Sequence, residues 1–317
     1  MSIWPLRLDQ PAPVACAAPP GVPVLLPMPG PVLVPLAAPS PISEDALFDI
    51  ELRLLLEAIA LRYQHDFRGY APASLRRRVR HALGALRIDR LAELQARVLR
   101  EPALFARLMQ HLTVQVSDMF RDPPYFKALR EQVMPELVRH PSLKFWVAGC
   151  GAGEEAWSLA ILLHEEGLLG RSLIYATDIN PQALQRARAG VFSASRASRY
   201  SANYLAAGGR AALADYCSSG YEGLLFQRWL KQRMVFADHS LATDSVFSDL
   251  HMVSCRNELI YFGGPLQARA VALFAQALLP RHGYLGLGSR ESLSQGPHAA
   301  AFEAVCAAPE VRLYRKR

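Results

Sequence analysis

Residues 145–155 read FWVAGCGAGEE, an apolar run followed by three glycines and two glutamates. The pattern predicts a buried strand that turns tightly into a helix, because glycine permits sharp turns and close approach of a ligand to the backbone. The next apolar run ends in Asp178, whose carboxylate could accept hydrogen bonds from both hydroxyls of a ribose. We therefore predict a nucleoside site at Gly149, Gly151 and Asp178, with a plain strand–helix turn as the alternative.

The two acids after the last glycine bear on which cofactor this turn would hold. Glu154 and Glu155 stand where a dinucleotide site would present a bare helix N-terminus to pyrophosphate. Carboxylates there repel phosphate, whereas a cofactor with a positive sulfonium and no phosphate suits them. The sequence thus favours S-adenosylmethionine over a nicotinamide dinucleotide, although Glu154 could also be a first-turn acid favoured by the helix dipole.

Strand and helix patterns alternate from this turn to the C-terminus. Helices are predicted at 154–166, 181–189 and 265–279, and strands at 143–148, 173–177, 234–237, 251–255, 283–288 and 311–315. Such alternation predicts a mainly parallel, doubly wound sheet of the Rossmann type with helices on both faces. The segment 193–232 breaks the alternation and is predicted to be an insertion.

The chain before this sheet divides into two parts. Residues 42–140 are predicted to form an all-helical domain whose first helix has Ser43 as its N-cap. Residues 1–41 contain prolines at a density that neither helices nor central strands tolerate, so we expect a disordered or polyproline-II tail. The predicted organisation is therefore tail, helical domain and a sheet domain over residues 141–317.

Composition restricts the classes of function. A net charge of +7 suits an acidic partner, and 51% hydrophobic residues over 317 positions suffice for one or two folded domains. The five cysteines lack metal or redox spacing and the histidines are scattered, so we predict reduced thiols and no metal site. We find no membrane-spanning run and no signal-peptide pattern, and we expect a cytoplasmic monomer without membrane insertion.

Several segments share a pattern with one known family. They are GY at 69–70, SLRRR at 74–78, LTV at 112–114, MFRD at 119–122, WVAGCGAGEEAWS at 146–158, ATDIN at 176–180, CRNELIYF at 255–262 and GYLGLGSRES at 283–292. In this order and spacing they resemble the CheR family of chemoreceptor glutamate methyltransferases over about residues 62–317. The resemblance implies S-adenosylmethionine as cofactor, S-adenosylhomocysteine as product and a seven-stranded sheet with an antiparallel edge. It also implies that the partner is the cytoplasmic helical bundle of a chemoreceptor and not a nucleic acid.

The resemblance further implies roles for individual residues. It implies cofactor contacts at Ser117, Arg121, Glu154, Asp178 and Asn257, and our full predicted set adds Gln115, Gly149, Gly151, Ser240, Leu241 and Glu258. Arg121 and Tyr261 would lie beside the transferred methyl group. The helix that carries Arg76, Arg77, Arg78 and Arg80 would dock to the receptor.

This sequence departs from the family pattern at three places. Gln115 and Ser117 stand where asparagine and threonine are common, and the segment 240–242 reads SLA in place of Asn-Leu-Leu. Glu258 stands where an apolar residue is usual. These departures bear on the exact substrate and on the activity.

The implied chemistry needs no general base. A glutamate side chain with a reference pKa of about 4.3 is already ionised near pH 7, so the enzyme has to align it and remove water from it. We assign the alignment to Arg121, which can hold a carboxylate with paired N–H donors, and a nearby hydroxyl to Tyr261. The alternatives are that Arg121 pairs with Asp118 or Asp122, that Tyr261 belongs to the core and that Asp178 is only a helix cap.

Other functions stay open at this point. The eight arginines between Arg62 and Arg90 could form a solvated helix face or bind nucleic acid, and a non-catalytic cofactor-sensing module is a further possibility. Against a base methyltransferase, the DPPY at 122–125 precedes a predicted helix and not a strand end. The aromatic and glycine residues of the insertion could form a short peptide-binding edge. We nevertheless expect no strong affinity for a receptor C-terminal peptide.

Overall fold

A seven-stranded sheet forms the centre of the second half of the chain. The computed structural model describes residues 42–114, 117–220, 223–293 and 298–317, and the proline-rich tail and Gln115 lie outside these ranges. The strands are β1 (Leu143–Ala148), β2 (Ser172–Asp178), β3 (Val191–Phe192), β4 (Cys217–Gly220), β5 (Gly223–Phe226), β6 (Met234–Asp238), β7 (Met252–Cys255), β8 (Tyr284–Leu287), β9 (Phe302–Ala304) and β10 (Arg312–Lys316).

The strand order of this sheet is β6-β2-β1-β7-β8-β10-β9. The first five strands in that order run parallel, and β10 is antiparallel to both β8 and β9. The predicted fold, a mainly parallel sheet with an antiparallel edge behind an all-helical segment, is confirmed. The bounds of β1 are those predicted, whereas the short strand β9 was not predicted.

Eleven α-helices lie in the described ranges. They are α1 (Glu44–Tyr63), α2 (Pro72–Leu86), α3 (Leu91–Val98), α4 (Pro102–Leu112), α5 (Pro123–Ala128), α6 (Met134–Leu137), α7 (Glu154–Glu165), α8 (Pro181–Ala189), α9 (Ala197–Ala206), α10 (Arg228–Lys231) and α11 (Gly264–Ala277). Ser43 caps α1 as predicted, since its Oγ accepts a hydrogen bond from Ala46 N at 3.2 Å. A π-helical turn, Leu129–Val133, joins α5 to α6.

Side chains of β1 alternate between two cores, as expected for a sheet covered on both faces. Phe145 and Val147 belong to the core on one face, and Trp146 and Ala148 belong to the core on the other. All four side chains are buried, as expected of a strand at the centre of a sheet. The loop that follows β1 therefore lies at an end of the sheet that other parts of the chain cover.

A third core fills the helical segment and meets the sheet at the carboxyl ends of its strands. Ile179, just after β2, packs against this helical core. Backbone groups also connect the two parts, because Ala71 N donates to Tyr261 O at 2.8 Å and Gly263 N donates to Gly69 O at 2.8 Å. Residues 43–317 cluster as one compact unit, and a domain boundary near residue 140 stays a prediction.

Two strands of the predicted insertion, β4 and β5, form a small separate antiparallel sheet with β3, which lies just before the insertion, in the order β3-β5-β4. The segment 224–230, which could have been strand or helix, is divided between them: it begins in β5 and ends in α10. Helix α9 precedes β4 and packs against α5, so the insertion lies next to the segment that leads into the sheet.

Candidate active site

The glycine loop after β1 forms the floor of the candidate site. Gly149 has φ +71°, and a Cβ atom built there would lie 2.3 Å from Glu258 Cγ, so only glycine fits. At Gly153, with φ +102°, a Cβ atom would lie 2.9 Å from the Cα of Ala187. Glycine at these positions thus allows Glu258 and Ala187 to pack closely against the loop, while the predicted approach of a ligand stays a prediction.

Asp178 lies at the end of β2 beside this loop and is buried. Its Oδ2 accepts Gly151 N at 2.9 Å and its Oδ1 accepts Asn180 N at 2.8 Å, which leaves further lone pairs on each oxygen for a ligand. Burial raises the pKa of the Asp178 carboxyl above its ordinary value. The N-cap of α8 is Asn180, whose side chain accepts from Gln182 N and Ala183 N, so the capping alternative for Asp178 does not apply.

Glu154 is the first residue of α7 and is 5% exposed. Its Oε2 is buried and has no hydrogen-bond partner in the described part of the chain. Burial raises the pKa of this carboxyl. An unpaired buried carboxylate is costly, and a cationic ligand group such as an ammonium would satisfy it.

The segment 117–122 leads from the helical part to the sheet and is held along its backbone. Arg196 donates to Ser117 O at 2.5 Å, Asn203 Nδ2 donates to Met119 O at 3.0 Å, and Phe120 N donates to Ser158 Oγ at 2.8 Å. The backbone is also strained there, with φ +50° at Phe120 and +58° at Asp122. Such over-determined strained segments are typical of functional sites.

Arg256 is the main anchor of this segment, and sequence analysis did not single it out. Its side chain is 1% exposed and forms ion pairs with Asp122 at 2.7 Å and Glu155 at 3.2 Å. It also donates to Arg121 O at 2.8 Å and stacks on the Tyr125 ring, with Cζ 4.1 Å from the ring centroid. The signal was present as the arginine of the CRNELIYF segment, directly after β7.

Asp118 and Asp122 were the alternative ion-pair partners proposed for Arg121. Asp118 pairs with Arg196 at 3.1 Å and with Arg199 at 2.8 Å, and Asp122 pairs with Arg256. The Arg121 guanidinium forms no ion pair with either acid in the described structure, while its carbonyl is fixed by Arg256. Its role in the reaction stays a prediction.

A cleft lies at the carboxyl ends of the strands, lined by Arg78 of helix α2 and by the loops that follow β1, β2, β6 and β7. It brings together seven of the predicted residues, namely Arg78, Gly149, Asp178, Ser240, Leu241, Glu258 and Tyr261. Gly151 and Glu154 border the same edge of the sheet through the glycine loop. Ser117, Arg121 and Asn257 do not line this cleft, and Gln115 lies outside the described residues.

The loop after β6 forms one wall of the cleft. Ser240 turns its hydroxyl back to accept Ala242 N at 3.3 Å, and its own N–H donates to Asp244 Oδ2 at 2.9 Å. Leu241 is buried beside it. His239, which sequence analysis missed, also lines the cleft, and its Nδ1 is buried without a partner among the described residues.

The loop after β7 forms the opposite wall. Asn257 has a left-handed backbone with φ +63°, and its N–H donates to Glu291 Oε2 at 2.9 Å. Glu291 is itself buried and also accepts Gly288 N at 2.6 Å and Ile260 N at 3.2 Å. Glu291 therefore fixes the loop that carries Asn257 and Glu258, a role not predicted from sequence.

The arginines of α2 do not form the single docking face that the sequence suggested. Arg78 is 8% exposed and lies in the cleft, with its Cζ 4.2 Å from the centroid of the Tyr261 ring. It belongs to the buried stripe of the helix, with residues 75, 79 and 82, and not to an exposed face, so its predicted contact with the receptor stays a prediction. Arg76 and Arg80 pair with Asp49 and Asp45 of α1, and Arg77 is exposed.

Comparison with known proteins decides which family this site belongs to. A family model described as the CheR methyltransferase SAM-binding domain matches residues 115–307, and one described as the CheR methyltransferase all-alpha domain matches residues 50–113. This chain belongs to the CheR methyltransferase family. It is therefore an S-adenosylmethionine-dependent methyltransferase, and the family resemblance drawn from its motifs is confirmed.

Several relatives of this CheR-family chain are known by name. Cher3 of Pseudomonas putida KT2440 is 50% identical over 84% of this chain and 97% of its own length. The chemotaxis protein methyltransferase of Listeria monocytogenes EGD-e is 26% identical over 72% of this chain and 84% of its own length. Chemotaxis protein methyltransferase 2 of Pseudomonas aeruginosa PAO1 is 29% identical over 70% of this chain and 79% of its own length.

The residues present fit S-adenosylmethionine. The unpaired Glu154 Oε2 suits the ammonium of its methionine moiety, and the spare lone pairs of Asp178 suit ribose hydroxyls. The described residues contain no group of three or more acidic, histidine or cysteine side chains arranged for a metal ion. Over the same residues, no helix combines the length and apolarity needed to cross a membrane.

Proposed function

We propose that this CheR-family enzyme esterifies glutamate side chains on the cytoplasmic helical bundle of a chemoreceptor-like protein. The observation that carries the proposal is the Arg78 guanidinium, which is buried in the cofactor cleft, stacked on Tyr261 and left with an unpaired Nη2. A buried, partly unpaired cation beside the reacting centre suits an anionic nucleophile. The names of the Listeria and Pseudomonas aeruginosa relatives, chemotaxis protein methyltransferases, support the same substrate class.

The proposed reaction requires alignment and little else. When bound, S-adenosylmethionine supplies an electrophilic methyl group on a sulfonium. A glutamate oxygen held by the chain would form the new C–O bond, and the electron pair of the broken S–CH₃ bond would return to sulfur. Because the nucleophile is already an anion near pH 7, no proton has to move. The chain's own residues therefore act by positioning and by excluding water.

Most of the predicted residues have a defined place in this proposal. Asp178 would accept the ribose hydroxyls and Glu154 the ammonium, with further cofactor contacts from Ser117, Asn257, Ser240 and Leu241. Arg78 and Arg121 would hold the substrate carboxylate, and Tyr261 would direct its hydroxyl toward the reacting atoms. Burial lowers the pKa of Arg78, while Tyr261 and Glu258 oppose that shift, so the guanidinium lies where a further anion would stabilise its charge.

Docking would then rest on the exposed part of α2. Arg77 is exposed, and Arg80 is exposed although it pairs with Asp45 at 2.7 Å. Arg76 is held more tightly by Asp49 and would contribute less. The proposed docking surface consists of Arg77 and Arg80, with Arg76 at its edge, and it would attract an acidic helical bundle in a salt-dependent manner.

The proposal is tested by transfer of a tritiated methyl group to a purified receptor cytoplasmic fragment. We expect label in the protein that mild alkali releases as methanol, because esters hydrolyse there and N-methyl groups do not. A receptor fragment with its candidate glutamates changed to alanine is the matched control and should take up little label. Alkali-stable label, or label in added nucleic acid instead of the receptor fragment, would contradict the proposal.

A further inference from the structure

Glu258 belongs to the loop after β7, and its side chain lies over the glycine loop that forms the floor of the cofactor cleft. It follows β7 in the loop fixed by Glu291, and it is the residue at which the sequence departs from the apolar family pattern. Its side chain lies over Gly149, so that a Cβ atom built on that glycine would be 2.3 Å from Glu258 Cγ and 3.0 Å from its Oε1. Asp178 and Tyr261 line the same cleft. The carboxyl of Glu258 therefore lies over the glycine loop, in the cleft that Asp178 and Tyr261 also line.

The Glu258 carboxylate forms no hydrogen bond or ion pair with the residues that the structure describes. Arg78 across the cleft attracts it, but at a distance longer than an ion pair. Burial, and after it the negative charges of Asp178, Glu291 and Glu155, raise the pKa of Glu258 well above its ordinary value. A carboxylate in such surroundings is costly unless a ligand supplies a cation.

S-adenosylmethionine carries two separate cationic groups, the α-ammonium and the sulfonium, and the cleft region offers two separate unpaired carboxylates. Glu154 lies at the N-terminus of α7, beyond the glycine loop, and Glu258 lies over the first glycine of that loop. We propose that Glu258 faces the sulfonium and makes the site selective for the charged cofactor over its neutral product. The proposal rests on the cofactor alone and not on the glutamate substrate.

The consequence concerns release of the product. S-adenosylhomocysteine keeps the ammonium and the ribose but has lost the sulfonium charge. Contacts from Glu154 and Asp178 are therefore common to cofactor and product, whereas the attraction to Glu258 is lost after transfer. An apolar residue at position 258 would contribute no such difference. Glu258 is thus a specificity-determining residue that favours exchange of product for fresh cofactor.

The direct test is the affinity of purified full-length protein for each ligand, measured by calorimetry. For Glu258→Gln we expect S-adenosylmethionine to bind about tenfold more weakly, because a charged contact is lost, while S-adenosylhomocysteine changes little. Glu154→Gln is the matched control and should weaken both ligands alike, since both carry the ammonium. Equal effects of Glu258→Gln on the two ligands, or no effect on either, would overturn the proposal.

A second measurement uses the wild-type protein and so does not depend on the folding of a variant. Calorimetry in buffers of different ionisation enthalpy gives the protons released on binding. The titratable groups that interact with Glu258 are Asp178, Glu291, Glu155, Arg78, Tyr70, Cys150 and Cys255, and Tyr261 and His239 line the same cleft. Because a sulfonium would favour the ionised carboxylate, S-adenosylmethionine should release more protons near neutral pH than S-adenosylhomocysteine does. Equal proton release for the two ligands would show that Glu258 does not sense the sulfonium.

Discussion

At the residue scale, Asp178 has one role in holding the backbone and a second, proposed role in binding the ribose. The two roles can be measured separately. Its carboxylate holds Gly151 N and Asn180 N and is also the proposed acceptor for ribose hydroxyls. We expect Asp178→Ala to keep the fold, to weaken S-adenosylmethionine binding by more than about tenfold and to lower the unfolding free energy by about 2 kcal/mol. Calorimetry and urea denaturation measure these two effects.

The control for this prediction is a neighbouring acid. Asp238 pairs in register with Asp178 across β2 and β6 but is exposed. Asp238→Ala should change the unfolding free energy by less than about 0.5 kcal/mol, as exposed substitutions usually do. Unchanged cofactor affinity in Asp178→Ala would mean that this carboxylate only fixes the glycine loop.

Arg78 and Arg77 are sequence neighbours with opposite surroundings, which makes them a matched pair. Arg78 is buried on Tyr261, whereas Arg77 is exposed on the other face of α2. We expect Arg78→Met to lower kcat/KM for a receptor fragment at least about 30-fold, equivalent to about 2 kcal/mol of transition-state stabilisation. Arg77→Met should act mainly on KM. If steady-state kinetics show the same changes in kcat and KM for both variants, Arg78 has no role in the active site.

Residue-scale roles were only partly predictable from the sequence. Gly149, Asp178 and Tyr261 were identified by their place in motifs, and the structure collects them in one cleft. The burial of Arg78 was not predicted, because a run of arginines on a helix does not show which one turns inward. The positioning roles of Arg256 and Glu291 depend on contacts between segments distant in sequence, which local patterns do not encode.

At the scale of elements, α2 combines an arginine buried in the cleft, Arg78, with an outer charged face. Charge reversal by Arg77→Glu should raise KM for the receptor fragment at low salt while cofactor affinity stays unchanged. The difference from wild type should shrink as salt rises toward 0.5 M, because exposed charges are screened within about 10 Å at 0.1 M. Kinetics over a salt series measure this. A KM that does not respond to the charge reversal at low salt would exclude α2 as the docking element.

The start of β7 carries a second element-scale prediction, one that concerns pH. His251 is buried, and its Nδ1 accepts Lys144 N at 3.2 Å. Burial, with nearby His140, Lys144 and His282, lowers the pKa of His251 to about 4. In the unfolded chain, His251 binds a proton below pH 6.5. In the folded chain it binds one only at about pH 4. This should cost up to about 3 kcal/mol of stability as the pH falls through that window.

A substitution isolates this contribution. Asparagine at position 251 keeps an acceptor near the place of Nδ1 but cannot take up the proton. His251→Asn should therefore reduce the loss of unfolding free energy between pH 7 and pH 4.5, measured by urea denaturation at both values. His81→Asn, at an exposed site, is the control and should leave the loss unchanged. A pH dependence identical in wild type and His251→Asn would contradict the argument.

Elements with strong patterns were predicted well, and short ones were not. The predicted bounds of β1 and α8 match the observed ones, because an apolar run marks β1 and an Asn-Pro start marks α8. Strands β3 and β9 have two and three residues, and their pairing partners β5 and β10 lie elsewhere in the chain. A segment of that length has too few alternations for a periodic signal, so only the folded sheet defines it.

At the scale of the whole molecule, three hydrophobic cores meet where the chemistry is expected. The helical core contacts the sheet through Ile179, and α2 closes over the carboxyl ends of β1, β2 and β7. Ligands of open parallel sheets bind at that edge, so the glycine loop and the inner arginine are brought together by topology. The order of motifs along the chain predicted that the helical segment and the sheet would meet at this edge. The individual contacts between them could be seen only in the folded structure.

The central claim, that the enzyme esterifies receptor glutamates, is tested most directly by locating the transferred methyl group. A receptor cytoplasmic fragment is incubated with the enzyme and S-adenosylmethionine, digested and sequenced by tandem mass spectrometry. The account predicts the mass of one added methylene on specific glutamate side chains, and slower accumulation of that mass when the enzyme carries Arg78→Met or, at limiting cofactor, Asp178→Ala. Added mass on lysine, arginine or a chain terminus, or a receptor fragment left unmodified by active enzyme, would contradict it.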